Sequence, residues 1–299
     1  MMRFVMFLLA FSATLDAADM VLVRNPSSSR GVTRLVGTVT EYTSQGVRLQ
    51  DDDGEETLVS PEKVLEIRYS RPPVLEEADH CYQNGDYAQT LTRYLQEAQM
   101  ESVPWKKMLL LERVMDCNLR MGKLRPAILA FLEITALVPD MPDTVLASAP
   151  MAWKPQMDFL GMEESLVACM KSKTSAEGTL LAASYLLSGA RRDEAITCLE
   201  NLSRGKNQRV AMLAQAQLWR TELVSVTEDD LARWKEAIEQ LPEPLRGGPY
   251  FVLGQGYARL GNTDEASLAF LKTVLLFHRN FLLAQQAEEA NDGLREKTE

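Results

Sequence analysis

The sequence predicts a mainly α chain: an α-solenoid of antiparallel helix pairs preceded by a small β-barrel-like module. Three observations predict it. Apolar residues alternate with polar ones up to Tyr69. After Pro73 the apolar spacing changes to about 3.6 residues, the helical period. Glycines then punctuate the helical stretches at recurring offsets. The 299 residues, 46% hydrophobic and 25% charged, have an ordinary globular composition. That length holds one large domain, or a small one with a larger one.

The first element is a leader over residues 1–18. Arg3 is followed by an apolar stretch from Phe4 to Leu15 and then by Asp16-Ala17-Ala18. One positive charge, a short apolar core and small residues at its end are the pattern of a secretory signal peptide, with cleavage expected after Ala17 or Ala18. The stretch is too short to span a bilayer, which takes about 20 residues. No later segment is long and apolar enough to do so, so the chain is expected to lack a transmembrane span and to be periplasmic, secreted or otherwise in the cell envelope.

Residues 19–70 form the β-rich module. The run Leu35 to Tyr42 is rich in β-branched residues, while Val47, Leu49, Leu65, Ile67 and Tyr69 alternate with polar neighbours. Turns are expected at Ser44-Gln45-Gly46, Asp53-Gly54 and Ser60 to Lys63. Four or five short strands in this space resemble an SH3-like or Sm-like barrel. Asp51-Asp52-Asp53-Gly54-Glu55 lacks the ligand spacing of a calcium loop, because Ser60 stands where the closing glutamate belongs. It reads as a solvated hairpin turn. Arg71-Pro72-Pro73 then stiffens the linker.

Residues 71–299 form the helical domain. Its most legible part runs from Tyr250 to His278, where Leu253-Gly254, Tyr257, Gly261, Ala266 and Phe270 recur at the offsets of a repeat of about 34 residues. These residues resemble a tetratricopeptide repeat. The resemblance implies two antiparallel helices crossing closely at Gly254 and Ala266, with Tyr257 and Phe270 filling the gaps; His278 replaces the family's exit proline. Weaker copies lie at Glu76–Ala98, Leu110–Pro139 and Leu180–Leu202, and a glycine-free helix pair at Val210–Leu223 and Asp229–Leu241. Pro139, Pro142, Pro150 and Pro155 make 140–156 an irregular insert, either a loop in a degenerate repeat or a break between two sub-stacks. A polar-ended amphipathic helix over 281–297 is expected to cap the stack.

In the family the first helices of successive pairs line a concave groove. The resemblance places the candidate groove residues at Asp79, Gln83, Glu112, Asp116, Arg120, Ser184, Gln255 and Arg259. Asp116 and Arg120, four apart, share a helix face, as an ordinary surface ion pair also would. A groove of mixed charge suits a polar peptide or another protein's loop. Trp219 and Trp234 sit among Leu and Ala at helical spacing and are expected in the core, although Trp219-Arg220 is also the composition of a binding anchor. Leu245 to Pro249 reads as a helix stop and restart. Gly254-Gln255-Gly256 lacks the third glycine of a dinucleotide fingerprint.

Other chemistry finds little footing. The net charge of −10 argues against nucleic acid as a general partner. The four cysteines, Cys81, Cys117, Cys169 and Cys198, have no metal-site or redox spacing. Export permits disulfides in three pairings, but their helical apolar settings suit free buried thiols. There are only two histidines, His80 and His278, and no catalytic motif. No cofactor, metal or catalytic residue is therefore expected. The sequence leads to a non-enzymatic protein–protein interaction scaffold acting in the periplasm or cell envelope through a helical-repeat groove. A structural accessory subunit of an envelope enzyme, secretion or assembly complex is the alternative, and an enzyme in its own right the third reading.

Overall fold

A computed structural model describes residues 18–28, 31–155, 161–172, 175–276 and 281–295. The chain divides at Pro72–Pro73 into two units, each with its own packing. The predicted leader, apart from Ala18, lies outside the described residues, as do His278 and the last two residues of the expected capping helix.

The first unit is a five-stranded antiparallel sheet: β1 (Asp19–Arg24), β2 (Val32–Thr43), β3 (Gly46–Gln50), β4 (Glu56–Val59) and β5 (Val64–Arg68), in the order β4-β3-β2-β1-β5. The 12-residue β2 pairs with β1 through its first half and with β3 through its second, shifting register between Val39 and Glu41. At Gly37 the backbones run so close that a Cβ would lie 2.3 Å from the Gln50 carbonyl oxygen. Inward positions Val21, Val39, Val47, Leu49 and Val59 form the core. The buried Asp19 carboxylate accepts the Val39 N–H at 3.0 Å, beside the register shift.

The expected barrel-like closure is not found: the sheet is open, with β4 and β5 as its edges. Closure needs these two to pair, but β4 has four residues, of which only Val59 is buried. A single 3₁₀ turn, Pro61–Lys63, then leads directly into β5. The Asp51 to Glu55 stretch is the predicted hairpin turn, in which Asp51 Oδ1 accepts the N–H groups of Asp53 and Glu55 at 3.0 and 2.9 Å.

The second unit is helical. The described residues contain α1 (Pro73–Gln83), α2 (Tyr87–Met100), α3 (Pro104–Arg120), α4 (Leu124–Leu137), α5 (Asp143–Ala147), α6 (Glu163–Ser172), α7 (Ala176–Leu186), α8 (Arg192–Ser203), α9 (Gln208–Glu222), α10 (Glu228–Glu239), α11 (Gly247–Leu260), α12 (Thr263–Leu276) and α13 (Phe281–Arg295). Most helices adjacent in sequence pack on one another, most extensively α11 with α12 and α3 with α4. Three connections share one device. Gly85, Gly122 and Gly261 each take a positive φ at the end of α1, α3 and α11. The following N–H then bonds back to the helix, as Asn262 does to Tyr257 at 2.9 Å. That left-handed residue closes a helix with little strain only when it lacks a Cβ. Within α11–α12 the Phe270 ring lies directly on Gly254, where a Cβ would come within 2.7 Å of it.

The irregular stretch after Pro139 is not a surface loop. Met141, Val145, Leu146, Ala149, Ala152 and Trp153 are all buried. α9 and α7 hold it by its backbone. Arg209 donates to the Met141 carbonyl at 2.9 Å and to Asp143 at 2.7 Å. Arg220 donates to the carbonyls of Ala152 and Ser184 at 2.6 and 2.9 Å, and the Tyr185 hydroxyl donates to the Pro150 carbonyl. Trp153 fills the space over Gly248, where a Cβ would meet its ring at 2.0 Å. Trp219 and Trp234 are buried and stacked at 5.0 Å. The C-terminal helix α13 packs on α11 and α12 and also on α3.

Candidate functional site

The predicted groove residues fall in three places. Five of the eight lie on α1 and α3, where a polar and aromatic cluster forms around Tyr82. Pro104 opens α3, whose missing N–H costs nothing at a helix start. The turn at Asn84-Gly85-Asp86 brings Tyr82, at the end of α1, edge-on to Tyr87, at the start of α2, with ring centres 5.5 Å apart. Asp86 caps α2 by accepting the Gln89 N–H at 3.1 Å.

From α3, Asp116 Oδ2 accepts both the Tyr82 hydroxyl and Arg120 Nε, the latter at 3.0 Å. The Arg120 guanidinium lies 5.2 Å from the Tyr82 ring centre and 5.4 Å from that of Tyr87. Arg113, two turns earlier, also lies 5.2 Å from Tyr82. All three distances are within cation–π range. Burial, reinforced by the Asp116 carboxylate, pushes the Tyr82 hydroxyl well above the usual phenol range, so it stays a proton donor. Asp116 is 8% exposed, and its Oδ1 has no hydrogen-bond partner among the described residues. Beneath this surface the Cys117 thiol is fully buried, and burial pushes its pKa up to about 12.

Of the other two α1 residues, Asp79 accepts the Tyr94 hydroxyl from α2, while Gln83 is exposed at the helix end. Glu112 is half-buried one turn before Asp116. Ser184 is wholly buried in α7, where its Oγ accepts the Ala152 N–H at 3.1 Å. On α11, Gln255 is half-buried and the exposed Arg259 donates to the Val224 carbonyl at 3.3 Å. The cluster thus joins Asp116 and Arg120 to three residues absent from the sequence-based set: Tyr82, Tyr87 and Arg113. One signal was available for Tyr82, because it stands three residues after Asp79 and so shares its side of α1.

A separate open groove of about 890 Å³ lies between α6, α7 and α8, lined in part by Met170, Thr179, Cys198 and Asn201. Lys171 and Glu194 pair across it at 3.2 Å, and none of the predicted residues lines it. None of the four cysteines forms a disulfide. Among the described residues no group of three or more His, Cys, Asp or Glu side chains is placed to hold a metal ion. No described helix is long and apolar enough to cross a membrane. No protein-family model matches the chain, and no curated protein and no solved structure is significantly similar to it.

Proposed function

We propose that the chain is a non-enzymatic interaction scaffold of the periplasm or cell envelope, with tetratricopeptide-like helix pairs, whose binding face is the α1–α3 surface around Tyr82. The observation that carries this reading is the convergence of two guanidinium groups, two tyrosine rings and a carboxylate there. Tyr and Arg are the side chains that most often dominate binding energy at protein interfaces. Arg113 is exposed, and among the described residues it forms no ion pair. It therefore offers a carboxylate of the partner a strong acceptor-specific contact. The occupant is a polar peptide or loop. The glycine closures shared by α1, α3 and α11 support the repeat reading. The export reading is supported by the leader pattern and by β1 opening at Asp19, next to the expected cleavage position.

A second reading, a structural subunit of an envelope complex, is favoured by the buried 141–153 segment and by the packing of α13 on α3. Affinity purification from the native host, with mass spectrometry of the bait, separates the two. The scaffold reading expects a partner lost on Arg113→Ala with Gln83→Ala, retained on Arg259→Ala, and a mature bait beginning at Ala18 or Asp19. Partners indifferent to the first pair but lost on deletion of α13 would favour the structural subunit.

A further inference from the structure

The face of the sheet turned away from its core combines aliphatic side chains with cations. Directly opposed residues of antiparallel strands share a face. β2, β1 and β5 therefore present the rows Val36–Met20–Arg68 and Arg34–Leu22–Glu66, with Val32 opposite Arg24. Val36 is 58% exposed and Val32 37%, and Leu65, set off by the register shift in β5, is 44% exposed. Since Val21 and Val23 are buried on the other side, these strands are apolar on both faces. An antiparallel sheet with one face in water alternates apolar and polar residues; apolar residues on both faces belong to a sheet that is covered twice.

The charge on this face is also out of keeping with the chain, whose net charge is −10. Arginines elsewhere, such as Arg48, Arg120, Arg209 and Arg246, contact carboxylates. Arg68 pairs with Glu66 at 2.8 Å. Arg24 and Arg34 are exposed and form no ion pair among the described residues. They are an unmatched positive pair set among valines and a leucine.

We propose that this face docks an acidic amphipathic helix of a partner protein. Its aliphatic side would lie on Leu22, Val32 and Val36, and its carboxylates on Arg24 and Arg34. Three strands spaced about 4.8 Å apart make a face roughly 10 Å wide, the width of one helix with its side chains. An extended anionic surface, nucleic acid or bilayer, fits less well. It needs a broad basic field, whereas here Glu66 interrupts the patch and the Asp51 to Glu56 hairpin of the same sheet repels it. The inference concerns the β unit and does not rest on the α1–α3 reading.

The test is fluorescence anisotropy on the full chain with a labelled synthetic helix of Glu and Leu at heptad spacing, about 18 residues long. A Lys–Leu peptide is the control. The Glu–Leu peptide is expected to bind, with an affinity that falls as salt rises, and Arg24→Glu with Arg34→Glu is expected to weaken it about tenfold or more. Circular dichroism checks that the variant is folded; Arg24→Gln with Arg34→Gln repeats the measurement with a gentler change. Equal binding by the wild-type and both variant proteins overturns the proposal, as does equal affinity for the Lys–Leu peptide. So does arginine-dependent sedimentation with phosphatidylglycerol vesicles, or arginine-dependent self-association, in the absence of peptide binding.

Discussion

The surface around Tyr82 and the region around Trp153 are built from comparable parts, yet one is open and the other is filled. In both, helices that are not adjacent in sequence bring polar side chains toward the same space. On α1–α3 those side chains pair with one another at a half-exposed surface, with Arg113 over the Tyr82 ring. On α7, α9 and α11 the chain supplies its own occupant: residues 141–153 are bound by Arg209, Arg220, Ser184 and Tyr185 and sealed by Trp153 on Gly248. Whether a polar helix position acts as surface or as core is therefore decided by what lies opposite it in space, and not by its place along the helix.

The contrast can be broken most directly at Trp153. Trp153→Ala empties a fully packed site and is expected to cost about 3–5 kcal/mol, measured by urea unfolding. A loss below about 1 kcal/mol would show that the segment is an ordinary loop. Gly248→Ala drives a methyl group into the same ring and is expected to cost about 1–3 kcal/mol, with the loss largely absent in the Trp153→Ala background because the two changes share one contact.

Cys117 sharpens the other side. Its thiol binds a proton more tightly in the folded state, with a pKa near 12 against an ordinary value of 9.0. The stability it contributes is therefore complete below about pH 9 and declines as pH rises toward 12. The difference in unfolding free energy between the wild-type protein and Cys117→Ala should shrink across that window, and a constant difference would contradict burial beneath the cluster. The smallest effect is expected at Arg113. Arg113→Ala should leave stability within about 0.5 kcal/mol while weakening partner capture; a large stability loss would mean that Arg113 serves the fold.

Much of this was legible in the sequence. The switch of period near Pro73 marks the change from strands to helices, and Gly261 and Phe270 mark α11 and α12 through local chemistry that needs no distant partner. Open edges were not legible, because whether β4 reaches β5 depends on the lengths of both strands and on the turn between them. The four prolines around 140–156 signal the absence of a long helix, and nothing in that signal says that the segment is buried. Its burial is set by Arg209 and Arg220, more than 60 positions away. The same limit explains the candidate site. Asp116 and Arg120 declare themselves by a four-residue spacing, whereas Tyr82 and Tyr87 join them only because a glycine turn folds α2 back beside α1.

The contact of α13 with α3 carries a consequence for how the chain is made. A protein leaving the ribosome can form α1 to α4 early, since each of these helices packs on its sequence neighbour. The face of α3 that α13 covers must wait until α13 itself has been synthesised, with nine helices between the two in the described chain. During that interval it is available to whatever else is nearby. The α3–α13 contact is thus a long-range event, and contacts of such separation are the ones that slow folding most.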